Sequence, residues 1–541
     1  MKILKIKLLT LLAIGSLLTI GCSDNDSLDQ TPIDPNATTS ADVYKDVATA
    51  KGALAKLYAS LAVTGQTGPA GNNDLNGVID EGTGSYQRLI VMAQDATTDD
   101  LKLAWPGDAS GSLDTFIVNQ WDSSNNFVTA AYYRFYVNIA FCNDFLRQSA
   151  GLASDPEMVK MRAEARFLRA LMYYNIVDMF GKGPFITEND PTGKYSPPQK
   201  DRTFLFEYVE SELKDIEGSI AAPKTSVTTS RADQGVVWTL LSRLYLNAKV
   251  YTGTDRYADA ATYAKKVIDA YGESDATVGG LGTKGKWKEL FMTDNRTNTN
   301  VSKELIFCIN FDGSRTQSYG GAAFLINASL GGSMTPTNWG GSGWYGSRLT
   351  PEFVNLFEKT ATNGSGEPTA WKDDRAQGVI WTDGQTFNMT NWKTFTNGYA
   401  YPKFYNKSST GVVGSDPTFP DLDLPIMRLA EVYLTYAEAV LSTNPTAALK
   451  YVNYVRARAN ATPLTSVTAQ DILDERGREL AWEGFRRTDL IRFGKYTGGT
   501  YNWQWKGGVQ GGTSIDEKYK VFPIPQRDLN LNPNLTKTDG Y

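Results

Sequence analysis

RADQGVVWTLLSRLYLNAKVY (residues 231–251) is followed closely by RYADAATYAKKVIDAYG (256–272), and the two segments share one periodicity. Apolar or small residues recur at offsets of three, four and seven, which is the spacing of residues on one face of an α-helix. These residues are Trp238, Leu241, Ser242 and Tyr245 in the first segment, and Ala260, Ala264 and Val267 in the second. The spacing predicts two antiparallel helices in contact, because small side chains let helix backbones approach closely.

The same pattern returns nearer the C-terminus. Ile426, Leu429, Ala430 and Tyr433 repeat the first set of offsets, and Ala448, Val452 and Val455 repeat the second. Two ordered pairs with similar phasing are typical of tetratricopeptide helix pairs. Because such pairs stack and share a core, we predict a mainly α-helical, curved scaffold.

Two more segments have a helical period. Residues 158–180 carry apolar residues at helical spacing and stop at Gly181, and residues 204–220 form a second amphipathic run. The repeats are scattered along the chain instead of being clustered in one part of it. We therefore predict one body that spans residues 41–541.

The segments between the helices are long and differ in composition. Residues 62–125, 273–350 and 361–425 are rich in Gly, Asn, Ser, Thr and aromatic residues, and residues 320–346 show no helical period. Loops of this length are usually functional or disordered, and the aromatic content argues against disorder. We expect these insertions to form an irregular ligand face on the helical scaffold.

The N-terminus has the pattern of a bacterial lipoprotein. Three lysines precede an apolar run that ends at Gly21, and Cys22 follows directly. The pattern predicts a signal peptide over residues 1–21, an acylated Cys22, and a polar tether over residues 22–40 that holds the body off the membrane. The alternative is a plain secretory signal followed by a free cysteine.

Composition excludes several classes of function. The chain contains no histidine, which removes the Ser-His-Asp triad, the Cys-His dyad and histidine metal sites. The formal net charge is −5 and no long basic run occurs, so nucleic acid is not an expected partner. Cys142 and Cys308 lie among apolar residues, where they are either buried thiols or a disulfide.

Pairs of acidic residues raise the possibility of a glycosidase. These pairs are Asp80–Glu81, Asp99–Asp100 and Asp421/Asp423. A glycosidase needs two carboxyl groups that face each other across the sugar, and sequence does not show which acids do so. Surface solvation is the more common role for such residues.

Aromatic residues in polar, Gly-rich loops are the strongest binding signal. Trp105, Tyr319, Trp339 and Trp344 all lie in such loops. We expect Trp105 to be exposed, because Pro106 and Gly107 turn the chain directly after it. Such rings either fold back into the core or form a flat platform on which the C–H face of a sugar lies.

Two C-terminal motifs resemble signatures of a known family. DERGRELAWEGFRRTDLIRFGKY (474–496) and FPIPQRDLNLNPNLTKTDGY (522–541) are similar to segments of the SusD/RagB family of outer-membrane lipoproteins. The resemblance implies a tetratricopeptide-containing α-helical fold, a lipid-anchored place on the cell surface, no enzymatic activity and no cofactor. It also implies a partner, a SusC-like TonB-dependent transporter that the protein covers like a lid.

The resemblance to starch-binding members of that family also implies a set of site residues. Trp105 and Tyr319 match an aromatic arc that follows an α-1,4-glucan, and a second Trp of that arc is Trp344 or, less well placed, Trp339. Arg88, Asp80 and Asp108 match residues that bind hydroxyl groups, although Asp108 replaces an Asn and therefore cannot donate. Arg296 interrupts a segment that would otherwise help to hold calcium, so no metal site is predicted.

Three hypotheses follow from the sequence. The first is a non-catalytic surface protein that binds starch or maltooligosaccharides and delivers them to a SusC-like transporter. The second is the same fold with another glycan, such as a fructan or pectin fragment. The third is a glycoside hydrolase.

Overall fold

A computed structural model of the protein describes residues 38–65, 71, 73–75, 79–224 and 230–541. The predicted signal peptide, Cys22 and nearly all of the predicted tether lie outside these residues. Within the described residues, no helix is both long and apolar enough to cross a membrane.

The described part of the chain is mainly helical. Its α-helices are α1 Ser40–Val43, α2 Val47–Ala62, α3 Tyr86–Gln94, α4 Ser112–Ile117, α5 Asn126–Gln148, α6 Pro156–Met179, α7 Arg202–Ile216, α8 Gln234–Leu246, α9 Ala248–Thr252, α10 Tyr257–Tyr271, α11 Gly321–Asn327, α12 Pro351–Val354, α13 Leu429–Val440, α14 Pro445–Arg458, α15 Ala469–Leu480, α16 Arg486–Arg492 and α17 Gln526–Leu531. The predicted mainly α-helical fold is confirmed.

Local signals explain where several helices begin and end. The side chain of Asp155 accepts hydrogen bonds from the second and third amides of α6, and Pro156 occupies the first position, where no amide is needed. Gly181 follows the end of α6 with a φ of 69°, a conformation that glycine adopts without strain. Thr468 and Asp471 begin α15 with a reciprocal capping box.

The helices form a continuous stack of neighbours. Helix α8 packs on α10, α10 packs on α13, and α13 packs on α14, although residues 272–428 separate α10 from α13 in sequence. Helices α5, α6 and α7 extend the stack at the other end. Ala260, Ala264 and Val267 are fully buried in α10, as the repeat spacing predicts.

Three sequence expectations differ from the structure. The segment 231–251 is broken at Asn247, whose side-chain amide donates to the carbonyl of Arg243 and whose backbone is not helical. Ile426 lies on a strand and not on α13, because residues 424–428 pair with the strand Leu305–Ile309. Residues 321–327 form α11 although they show no period, since every residue of that helix is buried and no polar face marks it.

Short strands connect the inserted segments. The strands are β1 Lys102–Leu103, β2 Lys182–Pro184, β3 Gln199–Asp201, β4 Leu305–Ile309, β5 Ser347–Leu349, β6 Lys359–Thr362, β7 Pro368–Trp371, β8 Tyr399–Ala400 and β9 Leu424–Arg428. The order β1-β5-β8 in one antiparallel sheet brings the three predicted loop regions together. Strands β4 and β9 pair antiparallel and close the long insertion.

A buried network of ion pairs joins the insertion to the C-terminal helices. Glu479 on α15 pairs with Arg375, Arg428 and Arg458. Glu304 also pairs with Arg428 and Arg458. The remaining pairs are Asp373–Arg375, Glu475 with Arg375, Arg456 and Arg478, and Glu483 with Lys403 and Arg428.

Cys142 and Cys308 are both buried and unpaired, so the alternative of buried thiols is confirmed. Burial raises the pKa of Cys142 to about 12 and also raises the pKa of Cys308. Both groups therefore remain protonated at neutral pH.

We predict that Ala264→Leu destabilises the protein by about 1–3 kcal/mol, because three extra carbons do not fit between α8 and α10 without distortion. The measurement is the free energy of unfolding in urea. The control is Ala258→Leu on the exposed side of the same helix, with an expected change within about 0.5 kcal/mol. Equal destabilisation by the two substitutions would contradict the packing of α10.

We predict a loss of stability in acid that depends on Glu475. Burial alone raises the pKa of a carboxyl group, but Arg375, Arg478 and Arg456 outweigh burial and hold the pKa of Glu475 at about 2. Because this folded-state pKa lies below the unfolded value, the contribution is present above about pH 4.5 and is lost as the pH falls towards 2. The expected contribution of Glu475 is about 3 kcal/mol.

Urea unfolding at a series of pH values from 7 to 3 measures this effect. Glu475→Gln is expected to cost about 3–5 kcal/mol at pH 7, because it leaves buried guanidinium groups uncompensated. The variant should also show a shallower decline in stability between pH 4.5 and 3. An unchanged decline would show that other carboxylates control the acid response.

Candidate functional site

An open groove of about 790 Å³ lies on the face formed by the inserted segments. Six residues predicted from the sequence line it together, and the others come from the same loops. The complete lining is Gly71, Asp80, Glu81, Gly82, Arg88, Trp105, Pro106, Gly107, Asp108, Tyr319, Trp344 and Thr418.

The sheet β1-β5-β8 positions the two tryptophans. Trp105 follows β1 and Trp344 precedes β5, and Leu103 pairs with Ser347 in the register of these strands. The indole Nε1 of Trp105 donates to the carbonyl oxygen of Trp344 over 2.8 Å. Gly346 makes this approach possible, since a Cβ there would lie 2.6 Å from Cζ2 of Trp105.

Trp105 is half-buried and not exposed on the surface as expected from Pro106 and Gly107. Its ring meets the ring of Phe324 edge to face, with 6.0 Å between the centroids. The strand pairing draws the indole against the core, and the part that remains accessible lines the groove. Trp105 thus combines partial core packing with a wall of the groove.

Tyr319 is the most exposed aromatic residue of the groove, with 46% of its surface accessible. Its ring centroid lies 6.4 Å from that of Trp344, and the two ring planes are inclined by 50°. Phe419 supports the Tyr319 ring at 5.2 Å. The groove therefore presents aromatic surfaces that are close together and tilted relative to each other.

Charged groups stand beside these rings. Arg88 on α3 is buried, and its Nη2 donates to Oδ2 of Asp108 over 3.1 Å. The guanidinium carbon lies 4.8 Å from the ring centroid of Phe324. Burial lowers the pKa of Arg88, while the carboxylates of Asp108, Asp80 and Glu81 oppose that shift.

Two carboxylates of the groove also accept hydrogen bonds from the backbone of their own loops. Asp108 Oδ1 accepts from the amide of Ala109 over 2.9 Å, and Oδ2 of Asp80 accepts from the amide of Thr83 over 3.2 Å. The Nε atom of Arg88 is buried and has no hydrogen-bond partner among the described residues. The groove therefore contains donors and acceptors next to its aromatic surfaces, as carbohydrate recognition requires.

Trp339 does not line the groove. Only 8% of its surface is accessible, and it packs against Trp381 and Tyr405 with centroid distances of 5.7 and 6.2 Å. The sequence left Trp339 and Trp344 as alternatives for one position. The structure brings Trp344 to the groove and places Trp339 in the core.

The acidic pairs noted in the sequence lie in different parts of the structure. Asp99 is buried and pairs with Arg486, and Asp421 accepts from the amides of Gly313 and Ser415. Neither acid lines the groove. Asp80 and Glu81 do, but the sequence marked Glu81 only as one member of an acidic pair.

Thr418 also lines the groove, and no sequence signal marked it, because its position depends on the fold of the insertion.

In the part of the chain that the structure describes, no group of three or more acidic or cysteine side chains is arranged to hold a metal ion. Arg296 pairs with Asp423 at 3.2 Å.

Two family models match separate parts of the chain. A model described as the SusD family matches residues 303–541, and a model described as "Starch-binding associating with outer membrane" matches residues 73–246. The first match contains every member of the buried ion-pair network, and the second contains Arg88, Trp105 and Asp108.

Sequence and structural relatives agree with these matches. The chain is 36% identical to "Starch-binding protein SusD" of Bacteroides thetaiotaomicron over 579 aligned positions, which cover 100% of both chains. The crystal structure of a SusD-like protein from Bacteroides fragilis superposes with a TM-score of 0.67 at 20% identity, covering 95% of this chain and 100% of that one. Surface glycan-binding protein A from Bacteroides fluxus gives 0.67 at 19% identity, with coverages of 92% and 100%. The full-length relationship to a protein more than one-third identical shows that this chain belongs to the SusD family.

Proposed function

We propose that the protein binds an α-glucan, such as starch or a maltooligosaccharide, in the groove lined by Trp105, Tyr319 and Trp344, and that it does not cleave it. The observation that carries this proposal is the grouping of three aromatic side chains around the Arg88–Asp108 ion pair. The aromatic rings and the charged groups each suit a different part of a sugar. Aromatic rings accept the apolar C–H face, and the charged groups accept or donate at the hydroxyl rim.

The inclination of the rings supports a curved ligand. Tyr319 and Trp344 are inclined by 50°, so a straight, flat chain would not lie on both faces at once. Successive glucose units of an α-1,4-linked chain turn relative to each other, which lets neighbouring units meet inclined surfaces. The name of the relative from Bacteroides thetaiotaomicron and the description of the matching family model support the same ligand class.

A fructan or pectin fragment is the second candidate for the groove. Such a ligand would use the same aromatic and charged groups but would differ in the curvature of its chain. A comparison of ligands of different curvature therefore separates the two candidates.

The acids of the groove support binding over hydrolysis. Glu81 accepts hydrogen bonds at both of its oxygens, from the hydroxyl of Thr64 and the amide of Tyr319. Asp108 is paired with Arg88, and Asp80 accepts from Thr83. A glycosidase requires two carboxyl groups free to act on opposite sides of the scissile bond.

The proposed setting is the outer surface of the outer membrane. Acylation of Cys22 would provide the anchor, and residues 22–40 would let the body move above the membrane. A SusC-like TonB-dependent transporter is the proposed partner that receives the bound glycan. The family description that mentions association with the outer membrane supports this setting.

We predict that Tyr319→Ala weakens the binding of maltoheptaose by about tenfold and that Trp105→Ala weakens it by about ten- to a hundredfold. Isothermal titration calorimetry measures both affinities. Tyr319→Ala should leave stability nearly unchanged, whereas Trp105→Ala should cost about 1–3 kcal/mol, because part of its ring packs on Phe324. Tyr195→Ala is the matched control, since it removes an exposed loop tyrosine that does not line the groove.

The same titration with cellohexaose tests the shape of the ligand. Binding of maltoheptaose without binding of cellohexaose is the expected result. Equal binding of both sugars, or binding of neither, would refute the α-glucan assignment. Screening fructan and pectin fragments would then decide whether the second candidate applies.

We predict that the purified protein releases no reducing sugar from amylose during a day of incubation at neutral pH. The protein concentration should exceed that of a parallel amylase control, so that a slow enzyme is detected. Release that disappears in Asp80→Asn or Asp108→Asn would instead identify a glycoside hydrolase with its acids in this groove.

A further inference from the structure

We infer that Glu81 is a positioning residue that holds Tyr319 in the groove. Its carboxylate accepts one hydrogen bond from Thr64 and one from Tyr319, and we call these two hydrogen bonds the latch. The inference rests on the proposed function of the groove and identifies what fixes its most exposed aromatic ring. Glu81 acts through the backbone of Tyr319 and not by contact with the sugar.

The two oxygens of Glu81 reach different segments. Oε2 accepts from the backbone amide of Tyr319 over 3.1 Å, and Oε1 accepts from the hydroxyl of Thr64 over 2.5 Å. Thr64 follows the end of α2, so the carboxylate connects the helical scaffold to the loop that carries the ring. More than two hundred residues separate Glu81 from Tyr319 in sequence.

Burial of the Glu81 carboxylate costs free energy that its contacts must offset. Only 4% of its surface is accessible, and Arg88, whose charge acts on Glu81 from a distance, forms its ion pair with Asp108 instead. A buried acidic group without an ion pair costs free energy unless hydrogen bonds compensate for it. The two hydrogen bonds of the latch provide that compensation.

A second contact fixes the same two loops. Ser85 Oγ accepts from the amide of Gly321 over 2.8 Å, two residues beyond Tyr319. The backbones are so close that a Cβ on Gly320 would lie 1.9 Å from the Ser85 hydroxyl, and a Cβ on Gly82 would lie 3.1 Å from Cβ of Tyr319. Residues 80–85 and 319–321 therefore form a closely fitted pair of loops.

The latch matters because the Tyr319 ring has little packing of its own. Nearly half of the residue is accessible, and its aromatic neighbours are Phe419 and Trp344. The position of its backbone therefore limits where the ring can lie. A ring that is already in place avoids the entropic cost of ordering when the ligand binds.

A double-mutant cycle tests the latch. Affinity for maltoheptaose is measured by calorimetry for the parent protein, Glu81→Ala, Tyr319→Ala and the double variant. We expect Glu81→Ala to weaken binding by about five- to tenfold in the parent and by less than about twofold when Tyr319 is already alanine, because contacting residues are not additive. An equal loss in both backgrounds would overturn the inference, since Glu81 would then act on the sugar or on the whole groove.

Two further variants separate hydrogen bonding from charge and from folding. Glu81→Gln keeps an acceptor for the Tyr319 amide and gains a donor for the Thr64 hydroxyl, so its affinity should stay within about threefold of the parent. Thr64→Val removes only the hydrogen bond between Thr64 and Glu81, so it should weaken binding less than Glu81→Ala does. If Glu81→Ala does not fold, the cycle is repeated with Thr64→Val, which then must lose its effect in the Tyr319→Ala background.

The outcomes distinguish this inference from the proposed function. A parent protein that binds no α-glucan refutes the function. Suppose instead that the parent binds and that Tyr319→Ala weakens this binding. If Glu81→Gln then weakens binding as strongly as Glu81→Ala does, only the latch is refuted.

Discussion

A buried set of arginine–glutamate ion pairs is the interaction on which the rest of this structure depends. Glu479 on α15 contacts three guanidinium groups that come from the long insertion, from β9 and from α14. Removing charges from water costs several kcal/mol for each ion, so these groups are tolerated only because each has a partner in the right place. The network thereby fixes one arrangement of the insertion against the helices. The groove depends on that arrangement, because inserted segments form its lining.

The groove itself depends on a small sheet made of segments that are distant in sequence. Strand β5 lies between β1 and β8, and this order places Trp105 against Gly346 and beside Trp344. The helical stack supplies the base of the groove, since α3 carries Arg88 and Thr64 lies two residues beyond the end of α2. In a site of this kind, loops that carry the binding residues are positioned by a helical scaffold, which is how binding residues are commonly presented.

Much of the scaffold could be predicted because helical periodicity is a local property. The spacing of Ala260, Ala264 and Val267 identified a buried helix face, and the apolar run over residues 158–180 identified most of α6. Prediction was wrong where the local pattern was missing or ambiguous. Helix α11 is buried on all sides and shows no period. Ile426 fits a helical spacing but lies on β9, which spans Leu424–Arg428.

For the candidate site, the sequence by itself determined the kinds of residue and the absence of histidine chemistry. Aromatic residues in Gly-rich loops indicated Trp105, Tyr319 and Trp344, and the family resemblance implied Arg88, Asp80 and Asp108. The structure brings all six to one groove. Only the tertiary structure decided that Trp339 packs in the core, that Trp105 is half-buried, and that Glu81 reaches Tyr319. The physical reason is that composition and periodicity describe neighbours along the chain, whereas burial and hydrogen bonding depend on which distant segments come into contact.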